Sequence, residues 1–158
     1  MTDNFINLDL KGRNKFYSYL NQFNLTGENT GKRCGIDVII TDKNQCKYGV
    51  EIKNRSNKAE NYPTLFIEAD KYQSLLNHNA KQHFKQSYYV NFVGNKMYIY
   101  DLYTLNKEIS DKGWVKRWMN EKTAESTTKK IQKWVCELPK ETAIKYIYVE
   151  NKWKKQLS

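Results

Sequence analysis

The stretch that decides the fold is GIDVIITDKNQCKYGVEIKNR, residues 35–55. β-Branched residues occupy alternate positions in its two halves, Val38 and Ile40 in the first and Val50 and Ile52 in the second. This alternation predicts two strands, over 35–41 and 47–54, that each bury one face. The polar residues 42–45 between them are typical of a turn. The stretch therefore predicts a β-hairpin.

The position of the turn determines which residues of the hairpin face each other. With a turn centred near Asn44, Asp37 lies opposite Glu51. Because side chains alternate between the two faces of a strand, Asp37, Glu51 and Lys53 share the face that the β-branched residues leave. Directly opposed residues hold their Cβ atoms about 5 Å apart. The sequence thus predicts two carboxylates and one ammonium group in a small area.

Two carboxylates at that distance repel each other and weaken the sheet unless a cation lies between them. Oxygen ligands without clustered His or Cys suit Mg²⁺ or Mn²⁺, and the backbone carbonyl of Ile52 is a further candidate ligand. A bound divalent metal polarises a phosphate and lowers the pKa of its water. Lys53 would orient or deprotonate that water, or stabilise charge in the transition state. The pattern indicates phosphodiester hydrolysis.

The elements around the hairpin predict an α/β or α+β domain with a mixed sheet. Apolar spacing predicts a helix over 8–23, with a short strand over 22–26 and a loop over 27–33. A second helix is expected from Asp70 to about Lys85, because Asp70 and Gln73 resemble a capping box. Strands over 88–93 and 96–100 flank Gly94-Asn95, a two-residue hairpin turn.

The last third of the chain is predicted to be mainly helical, with one late strand over 143–149. Two apolar groups suggest amphipathic helices, the second capped by Ser126 or Thr127. The groups are Trp114, Val115 and Trp118, and then Ile131, Trp134 and Val135. Tryptophans near cations can stack on unpaired bases, but tryptophans at helical spacing more often belong to a core, so these are assigned to packing.

The net charge of +10 is concentrated in the same third, since residues 112–158 contribute 12 Lys or Arg and 5 Asp or Glu. A concentrated positive field favours a polyanion such as DNA or RNA, although it also serves solubility. The side chains assigned to nucleic-acid binding are Asn54, Arg55, Lys71, Lys116, Arg117, Lys129, Lys130 and Lys133.

The two halves of the hairpin resemble the PD-(D/E)XK nuclease superfamily, through Gly35 to Ile40 and Val50 to Arg55. The order of elements from residue 8 to about 100 is also similar to the αβββαβ core of that superfamily. The resemblance implies a restriction-endonuclease-like fold and a Mg²⁺-dependent nuclease. It implies Asp37 and Glu51 as metal ligands and Lys53 as the catalytic lysine.

The sequence departs from that superfamily in two places. Ile36 stands where a Pro often precedes the Asp. Many members also add a Glu from the first helix, whereas the helix predicted over 8–23 contains only Asp9 as an acid. Asp9, Glu28 and Glu68 are the candidates for a third acid.

Composition excludes several other classes of protein. Three cysteines without CxxC spacing argue against a zinc site and a disulfide framework. No apolar run reaches the about 20 residues that a membrane helix needs, and the first ten residues lack the pattern of a signal peptide. We therefore expect no membrane partner and a cytoplasmic protein, of the cell itself or of a host cell.

The sequence therefore predicts one nuclease domain over 1–158, with a core over about 8–101 and a basic extension over about 112–158. The predicted activity is Mg²⁺- or Mn²⁺-dependent hydrolysis of DNA, as an endonuclease, and a homodimer would offer one site to each strand. Two alternatives stay open. One is a nucleic-acid-binding protein that keeps the fold without catalysis, and the other is a protein–protein interaction module.

Overall fold

The computed structural model describes residues 3–30, 35–121 and 129–157, and the side chains from residue 10 onward. Three α-helices and ten strands lie within these ranges. Their order is α1 (Asp3–Gln22), β1 (Thr26–Asn29), β2 (Val38–Thr41), β3 (Lys47–Arg55), β4 (Thr64–Glu68), α2 (Ala69–Lys81), β5 (Gln86–Val93), β6 (Lys96–Asp101), α3 (Leu102–Lys112), β7 (Val115–Asn120), β8 (Lys130–Pro139), β9 (Ile144–Val149) and β10 (Lys152–Gln156).

The strands form two sheets. The larger sheet has the order β1-β2-β3-β5-β6-β9-β10, and the smaller sheet has the order β4-β8-β7. Strands β3 and β5 are parallel, whereas the other neighbours in the larger sheet are antiparallel. A parallel pair needs a crossover connection, and β4 with α2 provides it. The prediction of a mixed sheet is therefore confirmed.

The predicted register of the first hairpin is confirmed along β2. Ile39 pairs with Gly49 and Thr41 pairs with Lys47, as a turn centred near Asn44 requires. The ladder ends at Val38, and Asp37 N–H donates to Val50 O, so Asp37 does not form the predicted ladder pair with Glu51. The carboxylate of Asp42 stabilises that turn, because its Oδ1 accepts hydrogen bonds from the backbone N–H groups of residues 44 and 46. An Asp side chain that bonds its own backbone in this way is a common turn device.

Both faces of the larger sheet are covered. Helix α1 packs on one face through a core that includes Phe16, Leu20, Val38, Val50 and Phe92. Helices α2 and α3 and the smaller sheet cover the other face, through a core that includes Leu75, Tyr100, Leu105, Cys136 and Leu138. The face that carries Glu51 is therefore covered by other layers and is not an open, wet surface.

The structure corrects the prediction for the C-terminal third. Residues 102–112 form α3, and β7 to β10 are strands, so this part is not mainly helical. The segments around Trp118 and Trp134 pair as antiparallel strands, and β8 also pairs with β4, which the sequence did not predict. Tertiary pairing outweighed a weak helical pattern there. The proposed caps Ser126 and Thr127 lie outside the described residues.

Smaller corrections concern the first connections. Gln22 belongs to α1, and the strand that follows runs over Thr26–Asn29, so the start of the predicted loop over 27–33 is β1. The late strand over 143–149 is confirmed as β9. No helix among the described residues is long and apolar enough to cross a membrane.

Gly49 packs so closely against Phe84 that it provides a test of the hairpin's packing. A Cβ atom at residue 49 would lie 2.8 Å from two carbons of the Phe84 ring and 3.0 Å from Ser87 Oγ. Overpacking of this kind costs about 1–3 kcal/mol, so we expect Gly49→Ala to lower the free energy of unfolding by that amount in urea titrations. A Phe84→Leu background should reduce the penalty, and an equal penalty in both backgrounds would show that the ring is not its cause.

Candidate active site

Asp37 lies directly before β2 and is held by its backbone and by its carboxylate. Its N–H donates to Val50 O at 2.8 Å, and its carbonyl accepts from Thr30 N at 3.0 Å. Its Oδ2 accepts from Ile52 N at 2.8 Å, and Arg13 Nη2 of α1 lies 2.7 Å from its Oδ1. The carboxylate therefore leans across the hairpin towards β3.

Glu51 points towards α2 and is buried beneath it. The residue is 4 % exposed, and its Oε1 lies 2.8 Å from Lys71 Nζ. Burial, and then the charge of Asp37, raise the pKa of Glu51 to about 7, against the opposing effect of Lys71. The two predicted carboxylates thus act on each other, as the register implied. Burial lowers the pKa of Lys71, but the Glu51 carboxylate outweighs it, so the net shift of the pKa is upward.

The backbone of Ile52 faces the same place. In a strand, the N–H and C=O groups of one residue point to the same side, which is why hydrogen-bonded pairs exchange both bonds. Ile52 N donates to Asp37 Oδ2, so the carbonyl of Ile52 also points towards Asp37. Two mutually repelling carboxylates and this carbonyl make a set of hard oxygen donors that fits Mg²⁺ or Mn²⁺.

Lys53 follows on the same face of β3 and is half-buried. Burial, followed by the positive charge of Arg55, lowers the pKa of Lys53, whereas the carboxylate of Glu68 opposes this shift. Lys53 therefore loses its proton more easily than an exposed lysine does, which suits a group that exchanges a proton with water.

Arg55 has structural contacts that the sequence did not predict. Its Nε donates to Asn91 Oδ1 at 2.9 Å, and its Nη2 donates to Tyr89 Oη at 2.8 Å and to the carbonyl of Phe66. The guanidinium also lies 4.1 Å from the centroid of the Phe66 ring. Arg55 therefore connects β3, β4 and β5 at the end of β3. Asn54 is half-buried beside it on β3.

The other predicted nucleic-acid-binding residues lie in two places. Lys71 is on α2 and contacts Glu51. The remaining residues lie on or next to β7 and β8, where several also have partners. Lys133 pairs with Glu68 at 2.8 Å, Lys129 with Glu121 at 3.4 Å and Arg117 with Glu137, whereas Lys116 lies over the Trp134 ring and Lys130 is exposed.

The candidates for a third acid differ in their surroundings. Glu28 is exposed on β1, and Glu68 is buried at the end of β4 in its pair with Lys133. Asp9 lies in α1, one turn before Arg13, and its side chain is outside the described part. Among the side chains that the structure describes, no group of three His, Cys, Asp or Glu is arranged to hold a metal.

Two cations pair with the carboxylates of the site, and the sequence predicted neither ion pair: Arg13 was not a candidate, and Lys71 was assigned to nucleic-acid binding. Arg13 is on α1, 24 residues before Asp37, and Lys71 is on α2, 20 residues after Glu51. Only the packing of both helices against the sheet brings them to the carboxylates. A cavity of about 370 Å³ lies on the opposite face of the sheet, lined by residues such as Phe16, Tyr48 and Tyr146, and it is separate from this site.

No protein-family model matches the chain, and no curated protein matches its sequence. Among solved structures, the chain is similar to Hjc from the hyperthermophile Archaeoglobus fulgidus, a Holliday junction resolvase, with a TM-score of 0.54 and 9 % sequence identity. The match covers 84 % of each chain. The fold is restriction-endonuclease-like. The resolvase belongs to the PD-(D/E)XK nuclease-like superfamily, so the predicted fold class is confirmed.

Proposed function

We propose that this chain is a divalent-metal-dependent endonuclease that hydrolyses DNA phosphodiester bonds. The observation that carries the proposal is the position of Glu51, which is 4 % exposed and whose pKa is raised by burial and then by the charge of the nearby Asp37. Two interacting carboxylates, one buried and one half-buried, beside a half-buried lysine are costly to the fold, and such costs concentrate at functional sites. The resolvase-like fold supports the same conclusion.

Each residue of the site has a distinct part in the proposed mechanism. Asp37, Glu51 and the Ile52 carbonyl would hold Mg²⁺ or Mn²⁺, which would supply a water of lowered pKa and polarise the phosphate. Lys53 Nζ would orient the attacking water and accept its proton. Arg13 and Lys71, which pair with the carboxylates, are then available for the non-bridging phosphate oxygens. Attack of the water oxygen forms one P–O bond and breaks the P–O bond to the leaving sugar oxygen. The water gives one proton to Lys53, and the leaving oxygen takes up one proton from solvent.

A second candidate function is nucleic-acid binding without cleavage. It is favoured by the ion pairs that both carboxylates already make, at 2.7 Å with Arg13 and 2.8 Å with Lys71. A metal must displace these ammonium and guanidinium groups. Metal binding and cleavage are therefore the measurements that separate the two functions.

The test compares wild type with Asp37→Asn. Wild type should bind Mn²⁺ in isothermal titration calorimetry and should cut plasmid, linear or four-way branched DNA when Mg²⁺ or Mn²⁺ is present. Asp37→Asn removes a direct ligand, so its affinity for Mn²⁺ should fall by more than the about 10- to 100-fold that follows loss of an outer-shell partner. Its cleavage should be lost.

The matched control is Asp111→Asn, an exposed acid at the end of α3, which should bind metal and cut as wild type does. Thermal unfolding checks that both variants are folded. If wild type binds DNA but neither binds Mn²⁺ nor cuts any of these substrates, the non-catalytic function is the correct one.

A further inference from the structure

The β7–β8 hairpin exposes two large aromatic rings. Trp118 is 67 % exposed and Trp134 is 49 % exposed. The sequence assigned both to a core, and the structure contradicts that assignment. Exposed tryptophans in this number on one short hairpin are costly for a monomer and typically mark a binding surface.

The register puts both rings on one face of the hairpin. Lys116 pairs with Trp134, and Trp118 pairs with Gln132, so these four residues and Lys130 point to the same side. We call this set the tryptophan face. Its tryptophans are diagonal neighbours about 7–8 Å apart, about twice the 3.4 Å spacing of stacked bases. The two residues are therefore close enough to contact the same short stretch of unpaired nucleotides.

The charge of the hairpin limits what can cover this face. Residues 115–135 contain six Lys or Arg and two Glu, a net charge of +4. Lys116 Nζ lies 4.9 Å from the centroid of the Trp134 ring, and Lys130 is exposed on the same side. The described part of the tryptophan face carries no acidic residue. Two copies of this hairpin would repel each other, whereas a polyanion would be attracted.

The hairpin also adjoins the candidate active site. Strand β4 ends at Glu68, which pairs with Val135, so residues 130–134 of β8 continue past the end of β4. From the opposite face of the hairpin, Lys133 contacts Glu68, whose charge acts on Lys53. DNA bound at the candidate active site would thus lie beside the part of β8 that extends past β4, and an unpaired strand would cross this edge to reach the tryptophans.

We propose that the tryptophan face binds unpaired nucleotides of the DNA substrate by stacking, so that the enzyme acts on DNA with a single-stranded or unpaired segment next to the cleaved duplex. This inference rests on the proposed nuclease function for its biological role. The aromatic rings supply base stacking without sequence preference, and Lys116 and Lys130 supply phosphate contacts.

The test measures binding in EDTA, so that no cleavage occurs. The ligands are a fluorescent oligothymidine of about 15 nucleotides, within the site sizes of single-strand-binding folds, and a blunt duplex. The double variant Trp118→Ala, Trp134→Ala should bind the single strand on the order of 10- to 100-fold more weakly for each stacked base lost. Its affinity for the duplex should stay within about twofold, because phosphate contacts hold the duplex.

Two matched variants complete the design. Tyr103→Ala removes another aromatic ring that is 75 % exposed, on α3, and should leave both affinities unchanged. The double variant Trp118→Phe, Trp134→Phe keeps flat rings and should retain most single-strand affinity. If the alanine variant fails to fold, the phenylalanine variant and a Lys116→Glu, Lys130→Glu variant carry the test, the latter with weaker single-strand binding and a smaller salt dependence.

Three results would overturn the inference. The first is an unchanged single-strand affinity in the alanine variant. The second is an equal loss of affinity for the single strand and for the duplex. Alternatively, light scattering could show that wild type is a dimer and the alanine variant a monomer, which would make this face an interface between copies. A different outcome separates the two proposals. If the alanine variant selectively loses single-strand binding but wild type cuts no DNA with Mn²⁺, the nuclease function is wrong and the single-strand-binding surface is correct.

Discussion

Replacing Lys53 with methionine is expected to reduce the rate of DNA cleavage by about 10²- to 10⁴-fold, the usual contribution of a positioned proton-transfer group. Methionine fills the half-buried position of the lysine stem on β3 but has no proton to donate or accept. Burial already disfavours the charged ammonium there and lowers the pKa of Lys53. The free energy of unfolding should therefore not fall, and the loss should be confined to catalysis.

Single-turnover cleavage with saturating Mg²⁺, together with urea unfolding, measures both quantities. Lys81→Met, an exposed lysine at the end of α2, is the control and should cut at the wild-type rate. DNA affinity in EDTA should change little for Lys53→Met, because one phosphate contact is a small part of the total. Cleavage at the wild-type rate by Lys53→Met would remove the lysine from the mechanism.

The sequence was sufficient to predict the arrangement of the first hairpin. Strand periodicity and one turn determine register, and a one-residue slip would have moved every side chain to the other face. That is why the pairing of residues 38–41 with residues 47–50 followed from the local pattern. The parallel pairing of β3 with β5 was predicted only through the order of elements.

Long-range contacts account for what the sequence did not predict. Arg13 and Lys71 reach the carboxylates from two different helices, and nothing in their local sequence indicates these partners. Strand β4 is short, and its pairing with β8 joins residues about 70 positions apart in the chain. The local sequence of β8 alone does not indicate a strand, because the pairing with β4 that stabilises it is not apparent from the sequence.

The exposure of Trp118 also depends on strand pairing that the local sequence does not indicate. Trp114, Val115 and Trp118 suit a helix face by spacing, and a helix would have buried them together. As a strand, β7 alternates its side chains, so Trp118 faces away from Val115, and it is at the edge of the smaller sheet. Exposure of that ring is a consequence of pairing partners that only the folded chain reveals.

Replacing Glu51 with glutamine is expected to stabilise the metal-free protein at alkaline pH while cleavage is lost. The pKa of Glu51 is about 7 in the folded protein, against an ordinary value of 4.5. Between these values the folded state holds a proton that the unfolded state releases, so stability falls as pH rises from 4.5 to 7 and stays lower above 7. The shift corresponds to about 3 kcal/mol, which glutamine would restore at pH 8.

Thermal unfolding in EDTA measures this effect, and about 3 kcal/mol corresponds to roughly 6–12 °C in Tm for a chain of this size. At pH 5 the difference between Glu51→Gln and wild type should shrink to under about 1 kcal/mol, since folded Glu51 is then protonated and equally neutral. Glu141→Gln, an exposed glutamate, should show no such pH dependence. A variant less stable than wild type at pH 8 would mean that the ion pair with Lys71 outweighs burial and the repulsion from Asp37.

Mg²⁺ should stabilise wild type at pH 8 but not Glu51→Gln, because the same ionised carboxylate that weakens the fold is the ligand that the metal requires.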